Sequence, residues 1–378
     1  MECPRCHNQN VDYFYNLNGQ YYCRKCIDFH RVYIDDKRET LSRIYPVQDI
    51  SYSLDFKLSD AQQKISDQLV MNYQSKKNSL VLAVCGSGKT EIVFALIHHV
   101  LMLGQRVCFC IPRKELVIEL HERIVESFKG IEIGLLCGGV CQNEDSQFVI
   151  CTMHQLYRYE NKYGFNLMIA DEVDAFPFYN NEVLNEIFTR CCLGHYVKLS
   201  ATFMHEDIKD EELLIMNRRY HGYDLPTPRL LLSPVFLHKY IALYLIERMK
   251  KKVIVYVPKI ELVDYLIKFF ETFHYRTGGV SSHHHDNQQT VLQLKNNKLD
   301  IIVSTTLLER GLTIEDVQVI VYQGEHALFD ERTLIQISGR VGRKPNHPQG
   351  KVYIIASERT KGIKKCIHTI KNLNQMSV

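Results

Sequence analysis

No feature constrains the fold of this chain more than the stretch at residues 80–90, where the apolar run LVLAV breaks into Cys85-Gly86-Ser87-Gly88-Lys89-Thr90. A short apolar run ended by glycines reads as a buried strand entering a tight loop. Gly86 and Gly88 lack the Cβ that would keep backbone N–H groups from closing around a polyphosphate. Residues 91–103 read as a helix whose positive N-terminal end faces that anion. Cys85 to Thr90 are thus expected to cradle ATP, with Lys89 on the terminal phosphates and the Thr90 hydroxyl on Mg²⁺. One position departs from the G-x4-G-K-[ST] pattern, since residue 83 is Ala rather than Gly.

The chain of 378 residues is long enough for two or three domains. No apolar run is long enough for a membrane span, and the opening MECPRC is not a signal segment, so a cytoplasmic protein is expected. Thirteen cysteines suit a reduced compartment, because most of them lie singly inside apolar strands, as Cys108, Cys110 and Cys151 do. Charge is uneven: residues 58–232 carry 17 Lys/Arg against 22 Asp/Glu, and residues 233–378 carry 21 against 13. A basic third segment suits a nucleic acid gripped mainly on one side.

Residues 1–30 hold two C-x2-C pairs, Cys3/Cys6 and Cys23/Cys26, separated by sixteen residues. Two such knuckles complete a tetrahedral four-sulfur site that suits structural Zn²⁺ and leaves no open coordination position. The VDYFYNLNGQYY between them reads as a hairpin turned at Asn18-Gly19. So small a segment has little core, and the metal is expected to contribute about 10 kcal/mol or more to its folding. Its tyrosines could stack on bases or face a protein. Residues 31–57 read as an irregular connector.

Residues 58–205 alternate strand and helix as a parallel sheet demands. Gln62, at the start of the first helix and 27 residues before Lys89, is placed to read adenine through its carboxamide. Chemistry in such a sheet collects at the carboxyl ends of strands. There stand Arg113, then Thr152 and His154, then Asp171-Glu172 after the apolar NLMIA, then Ser200-Ala201-Thr202. Asp171 is expected to hold Mg²⁺ and Glu172 to activate the attacking water.

Residues 206–232 read as a hinge, and residues 233–378 as a second βα sheet with a basic C-terminal tail. Two similar sheets joined by a hinge make a cleft that can close on ATP. Gln336, Arg340 and Arg343 fall at i, i+4 and i+7, which on a helix presents an amide and two guanidiniums on one face. One of these arginines, Arg343 ahead of Arg340, is expected to neutralise charge on the γ-phosphoryl group. Thr305, Thr306 and Arg310 are placed to hold phosphates without reading bases, as Arg113, Thr152 and His154 are in the first sheet.

The AVCGSGKTE loop, DEVDAFPF, SAT, TTLLERGLT and QISGRVGR resemble the motifs of superfamily 2 helicases. With the paired knuckles they resemble one family in particular, ComFA, over nearly the whole chain. The resemblance implies two tandem RecA-like parallel-sheet domains forming an ATP cleft, preceded by a small four-cysteine zinc knuckle. It further implies an ATPase stimulated by single-stranded DNA, working at the inner face of the membrane to draw in transforming DNA, with ComFC and the ComEC channel as neighbours. A homo-oligomer is possible. An RNA or replication-restart helicase, or a DNA-binding scaffold gated by ATP without turnover, is the alternative. Phe203 stands where proline often follows SAT.

Overall fold

The computed structural model describes residues 1–36, 39–175, 177–202, 210–284, 286–305 and 314–375. The chain forms two compact units, one of Met1–Leu82 with Lys89–Ile215, the other of Ala83–Gly88 with Met216–Val378.

The first unit is built on an eight-stranded sheet. Its spatial order is Glu212–Met216, Ser79–Ala83, Cys192–Ser200, Phe165–Ala170, Val107–Ile111, Phe148–Thr152, Ile133–Cys137 and Val140–Gln142. From Ser79–Ala83 to Ile133–Cys137 neighbouring strands are parallel, and Val140–Gln142 closes the edge antiparallel. Val107–Ile111 and Phe148–Thr152 are buried along their whole length, as continuous apolar runs must be when helices cover both faces of a sheet. Cys108, Cys110 and Cys151 are core residues of these strands, as their apolar neighbours implied. Helix Asp60–Gln74 starts with a capping box, in which Ser59 Oγ accepts from Gln62 N and Gln62 Oε1 accepts from Ser59 N.

The second unit holds six parallel strands in the order Arg229–Leu232, Val352–Ala356, Gln318–Tyr322, Val253–Tyr256, Ile301–Ser304 and Thr277–Val280. The C-terminal helix Lys361–Gln375 buries Ile363, Cys366, Ile370 and Leu373 and packs on helix Glu331–Ser338. Residues 206–232 contain two edge strands, Glu212–Met216 and Arg229–Leu232.

The cysteine knuckles fold as the expected hairpin. Phe14–Leu17 pairs with Gln20–Cys23, and Asn18 and Gly19 take φ of 52° and 90°, the left-handed pair that suits a two-residue hairpin turn. The module does not stand alone. Cys3, Cys23, Cys26, Phe29 and Val32 share one apolar cluster with Leu156, Tyr159, Phe165 and Cys191 of the first sheet unit. Arg5, only 2% exposed, reaches through this contact. Its Nε donates to both oxygens of Glu160, at 2.9 and 3.1 Å, and its Nη1 donates to the Phe29 carbonyl at 2.7 Å. The connector is pinned as well, since Ser51–Tyr52 pairs with Phe128–Lys129 and the Tyr52 ring stacks on Phe128.

Removing one partner of a buried ion pair leaves the other charge desolvated, at a cost of about 3 to 5 kcal/mol. Arg5→Met is therefore expected to lower the unfolding free energy by that amount in denaturant titration. The double variant Arg5→Met/Glu160→Leu should recover most of the loss, and an unchanged midpoint for Arg5→Met would rule out the buried pair.

Candidate active site

The glycine loop expected to cradle phosphate follows the fully buried strand Ser79–Ala83. Gly86 and Gly88 have φ of 82° and 79°, backbone conformations that glycine adopts without strain. Ser87 N donates to Val84 O at 3.1 Å and tightens the loop. The helix expected over 91–103 opens as a 3₁₀ turn, Glu91–Val93, before the α-helix Phe94–Met102. The poorer geometry of a 3₁₀ turn is common at helix starts.

Lys89 Nζ lies 3.6 Å from Asp171 Oδ1, with both side chains largely buried. Strand Phe165–Ala170 delivers Asp171 to its carboxyl end, where Asp171 N donates to Cys110 O of the adjacent strand at 3.0 Å. Burial raises the Asp171 pKa above its ordinary value, while the Lys89 ammonium pulls the other way. Glu172 holds φ at 54°, unusual for a residue with a Cβ. That strain, of about 1 to 3 kcal/mol, is of the kind that clusters at functional sites. Beyond it, Thr202 Oγ1 donates to Asp174 Oδ2 at 2.6 Å, both residues buried. The acidic run is thereby tied to the Ser200-Ala201-Thr202 strand end.

The arginine segment departs from expectation. Helix Glu331–Ser338, capped by Asp330, carries Gln336 but ends at Gly339. Arg340 and Arg343 therefore lie in a turn beyond the helix and do not continue its face. The helix stops before either arginine, and Gly342, at φ of 69°, turns the backbone again between them. Arg340 is buried, and Arg343 Nε donates back to Gly339 O at 3.0 Å. Within the same unit, a Cβ on Gly339 would collide with Cys85 Cβ, and one on Gly86 would lie 3.8 Å from Arg343 Cγ. Gly339 is required by that close approach.

Gln62 sits buried at its helix start with Oε1 engaged by Ser59 N. Thr90 precedes the 3₁₀ turn. Among the residues expected to touch nucleic acid, Arg113 precedes helix Lys114–Ser127, and Thr152 is buried at the end of its strand. His154 is exposed on one side and stacks on Phe29 of the cysteine module on the other, with ring centroids 5.8 Å apart. Thr305 follows strand Ile301–Ser304 and donates its N–H to Val280 O. Thr306, Arg310 and Phe203 lie outside the described residues.

The cysteine cluster fits a metal. All four Sγ atoms lie within 4.8 Å of one another, with Cys3···Cys26 at 3.8 Å and Cys6···Cys23 at 3.7 Å. A tetrahedron with Zn–S bonds of about 2.3 Å has edges of about 3.8 Å. Hydrogen bonding from Cys26 pulls the Cys3 thiol down. Burial pushes Cys23 up, and hydrogen bonding to Cys3 pushes Cys26 up, as expected of thiols competing for negative charge in one small space.

Residues 55–205 match the family described as "Type III restriction enzyme, res subunit", and residues 236–345 match "Helicase conserved C-terminal domain". The fold is that of Saccharomyces cerevisiae Dbp5 bound to RNA and ADP BeF3, with a TM-score of 0.61 at 14% identity over 84% of this chain and 92% of that one. Two RecA-like parallel sheets with these matches define an ATP-hydrolysing superfamily 2 helicase, which uses ATP with Mg²⁺ and binds nucleic acid. The chain is 31% identical to competence protein ComFA of Bacillus subtilis over 99% of its own length and 86% of that protein. It is 32% identical to ComFA of Streptococcus pneumoniae, over 99% and 90%. The chain belongs to the ComFA family.

Three features escape the motifs. Asp174 and Thr202 were visible at strand ends, but their pairing was not. Arg5 and Glu160 stand 155 residues apart, and Arg219 lies in a segment without motif or periodicity.

Purified protein is expected to carry a single zinc per chain by elemental analysis, and Cys26→Ala should lose it together with thermal stability. Metal-free wild-type protein of unchanged stability would exclude the site.

Proposed function

We propose that this chain is an ATP-driven translocase on single-stranded DNA that serves the uptake of transforming DNA. The observation that carries the reading is membership of the ComFA family over essentially the full chain, with Lys89 and Asp171 already paired beyond the carboxyl ends of two strands of one sheet.

Lys89 acts on the β- and γ-phosphates, and Thr90 and Asp171 are the Mg²⁺ ligands. Without nucleotide, Lys89 neutralises Asp171; with nucleotide bound, its ammonium turns to the phosphates and Asp171 is free to ligate. Glu172 orients and deprotonates the attacking water. Gln62 reads adenine once its amide leaves the helix cap. Gln336, Arg340 and Arg343 supply the amide and guanidiniums that stabilise the γ-phosphoryl charge. Arg113, Thr152, His154, Thr305, Thr306 and Arg310 hold the strand by its phosphates.

The four cysteines hold Zn²⁺ as a structural ion. With Phe29 stacked on His154, the module supports the DNA face of the first sheet and leaves Tyr13, Tyr15 and Tyr21 exposed. Among the described residues no helix is long and apolar enough to cross a membrane. The protein works at the inner face of the membrane, with ComFC and the ComEC channel as its partners.

Steady-state phosphate release should rise with single-stranded DNA and rise less with RNA of the same sequence. Equal or stronger stimulation by RNA would overturn the choice of DNA. Lys89→Ala should abolish turnover, and Arg343→Ala should lower it by about 10³ to 10⁵; full activity in either would remove the assigned roles.

A further inference from the structure

We propose that Arg219 is a positioning residue for ATP hydrolysis, clamping the turn that carries Arg340 and Arg343 by its backbone carbonyls. The inference rests on the role given to those two arginines. Arg219 Nη1 donates to Val341 O and to Gly342 O, each at 2.6 Å, and Nη2 donates to Gly339 O at 3.3 Å. The residue is 2% exposed, while the neighbouring Arg218 side chain donates to Gly222 O in the exposed part of the segment.

Burying a guanidinium costs several kcal/mol unless charge or acceptors compensate it. The acceptors that Arg219 meets among the described residues are three carbonyls of one turn, with no carboxylate beside them. These carbonyls lie just beyond the C-terminal end of helix Glu331–Ser338, the negative end of its dipole. A cation from elsewhere in the chain therefore caps this end. Burial pushes the Arg219 pKa down to about 10, which leaves it charged at neutral pH.

The neighbours of Arg219 act on the same turn. Tyr220 Oη donates to Arg343 O at 3.3 Å, and His221 Nε2 donates to Gly342 O at 3.0 Å. A Cβ on Gly342 would lie 3.0 Å from Arg219 Nη1, so the glycine admits the guanidinium as well as the turn. A planar fork that grips successive carbonyls fixes the direction of the backbone between them, and with it the starting points of both arginine side chains. Misplacing a catalytic group by about 1 Å costs about 10²-fold in rate.

The experiment measures kcat and KM for ATP, with single-stranded DNA, in the full chain and in Arg219→Met, Arg219→Lys, Arg343→Ala and Arg219→Met/Arg343→Ala. Arg219→Met is expected to lower kcat about 10²-fold with little change in KM. Arg219→Lys should recover only part of this, because an ammonium cannot span three carbonyls in a plane. In the Arg343→Ala background, adding Arg219→Met should cause a clearly smaller loss than in the full chain, because only Arg340 is left for the clamp to position. A purely structural role would multiply the two losses, and that outcome overturns the proposal, as does unchanged kcat in Arg219→Met. If Arg219→Met does not fold, Arg219→Lys alone and combined with Arg343→Ala provides the same comparison. Full activity in Arg343→Ala would instead sink the arginine assignment on which the proposal rests.

Discussion

A parallel sheet brings the carboxyl ends of its strands to one edge, and the chemistry of the first unit depends on that constraint. Lys89 follows Ser79–Ala83, Asp171 follows Phe165–Ala170, Thr202 follows Cys192–Ser200, and Thr152 ends Phe148–Thr152. These residues are far apart in the chain and become neighbours only because the strands run in the same direction in register. The Lys89–Asp171 ion pair and the Thr202–Asp174 hydrogen bond are direct products of this arrangement. The site can therefore be built on short loops while the apolar strands beneath it stay packed.

The cysteine module has a different physical basis. Alone it has too little apolar surface to offset the entropy of ordering its chain. Its cysteines and Phe29 extend the apolar cluster of the neighbouring sheet unit, and Arg5 seals the contact with Glu160. The proposed metal ligation and the shared packing thus act on the same few residues. Phe29 against His154 carries that stabilisation to the strand-end loop that faces nucleic acid in the proposed function.

Strand and loop assignments were legible wherever one residue type dictated local geometry. Asn18-Gly19 could hardly be anything but a tight hairpin turn, and Gly86 and Gly88 mark a loop because of the backbone angles they permit. The i, i+4, i+7 spacing of Gln336, Arg340 and Arg343 was misleading for the same reason. Periodicity suggests a face, but the helix ends at Ser338, and Gly342 at positive φ turns the chain again between the two arginines. Gln62 was legible as a helix-start residue, and the structure adds the bond from Ser59 that occupies its carboxamide oxygen.

By itself the sequence determined the chemical groups and their local settings: the glycine loop, the acidic strand end, the two thiol knuckles and the paired arginines, because each depends on residues within a few positions of one another. Tertiary structure alone decided which distant charges are neutralised and by whom. Glu160 receives Arg5 across 155 positions, and the carbonyls of the arginine turn receive Arg219 across more than a hundred. Burying a charge demands a partner at hydrogen-bond distance, and only the folded chain determines which residues come that close.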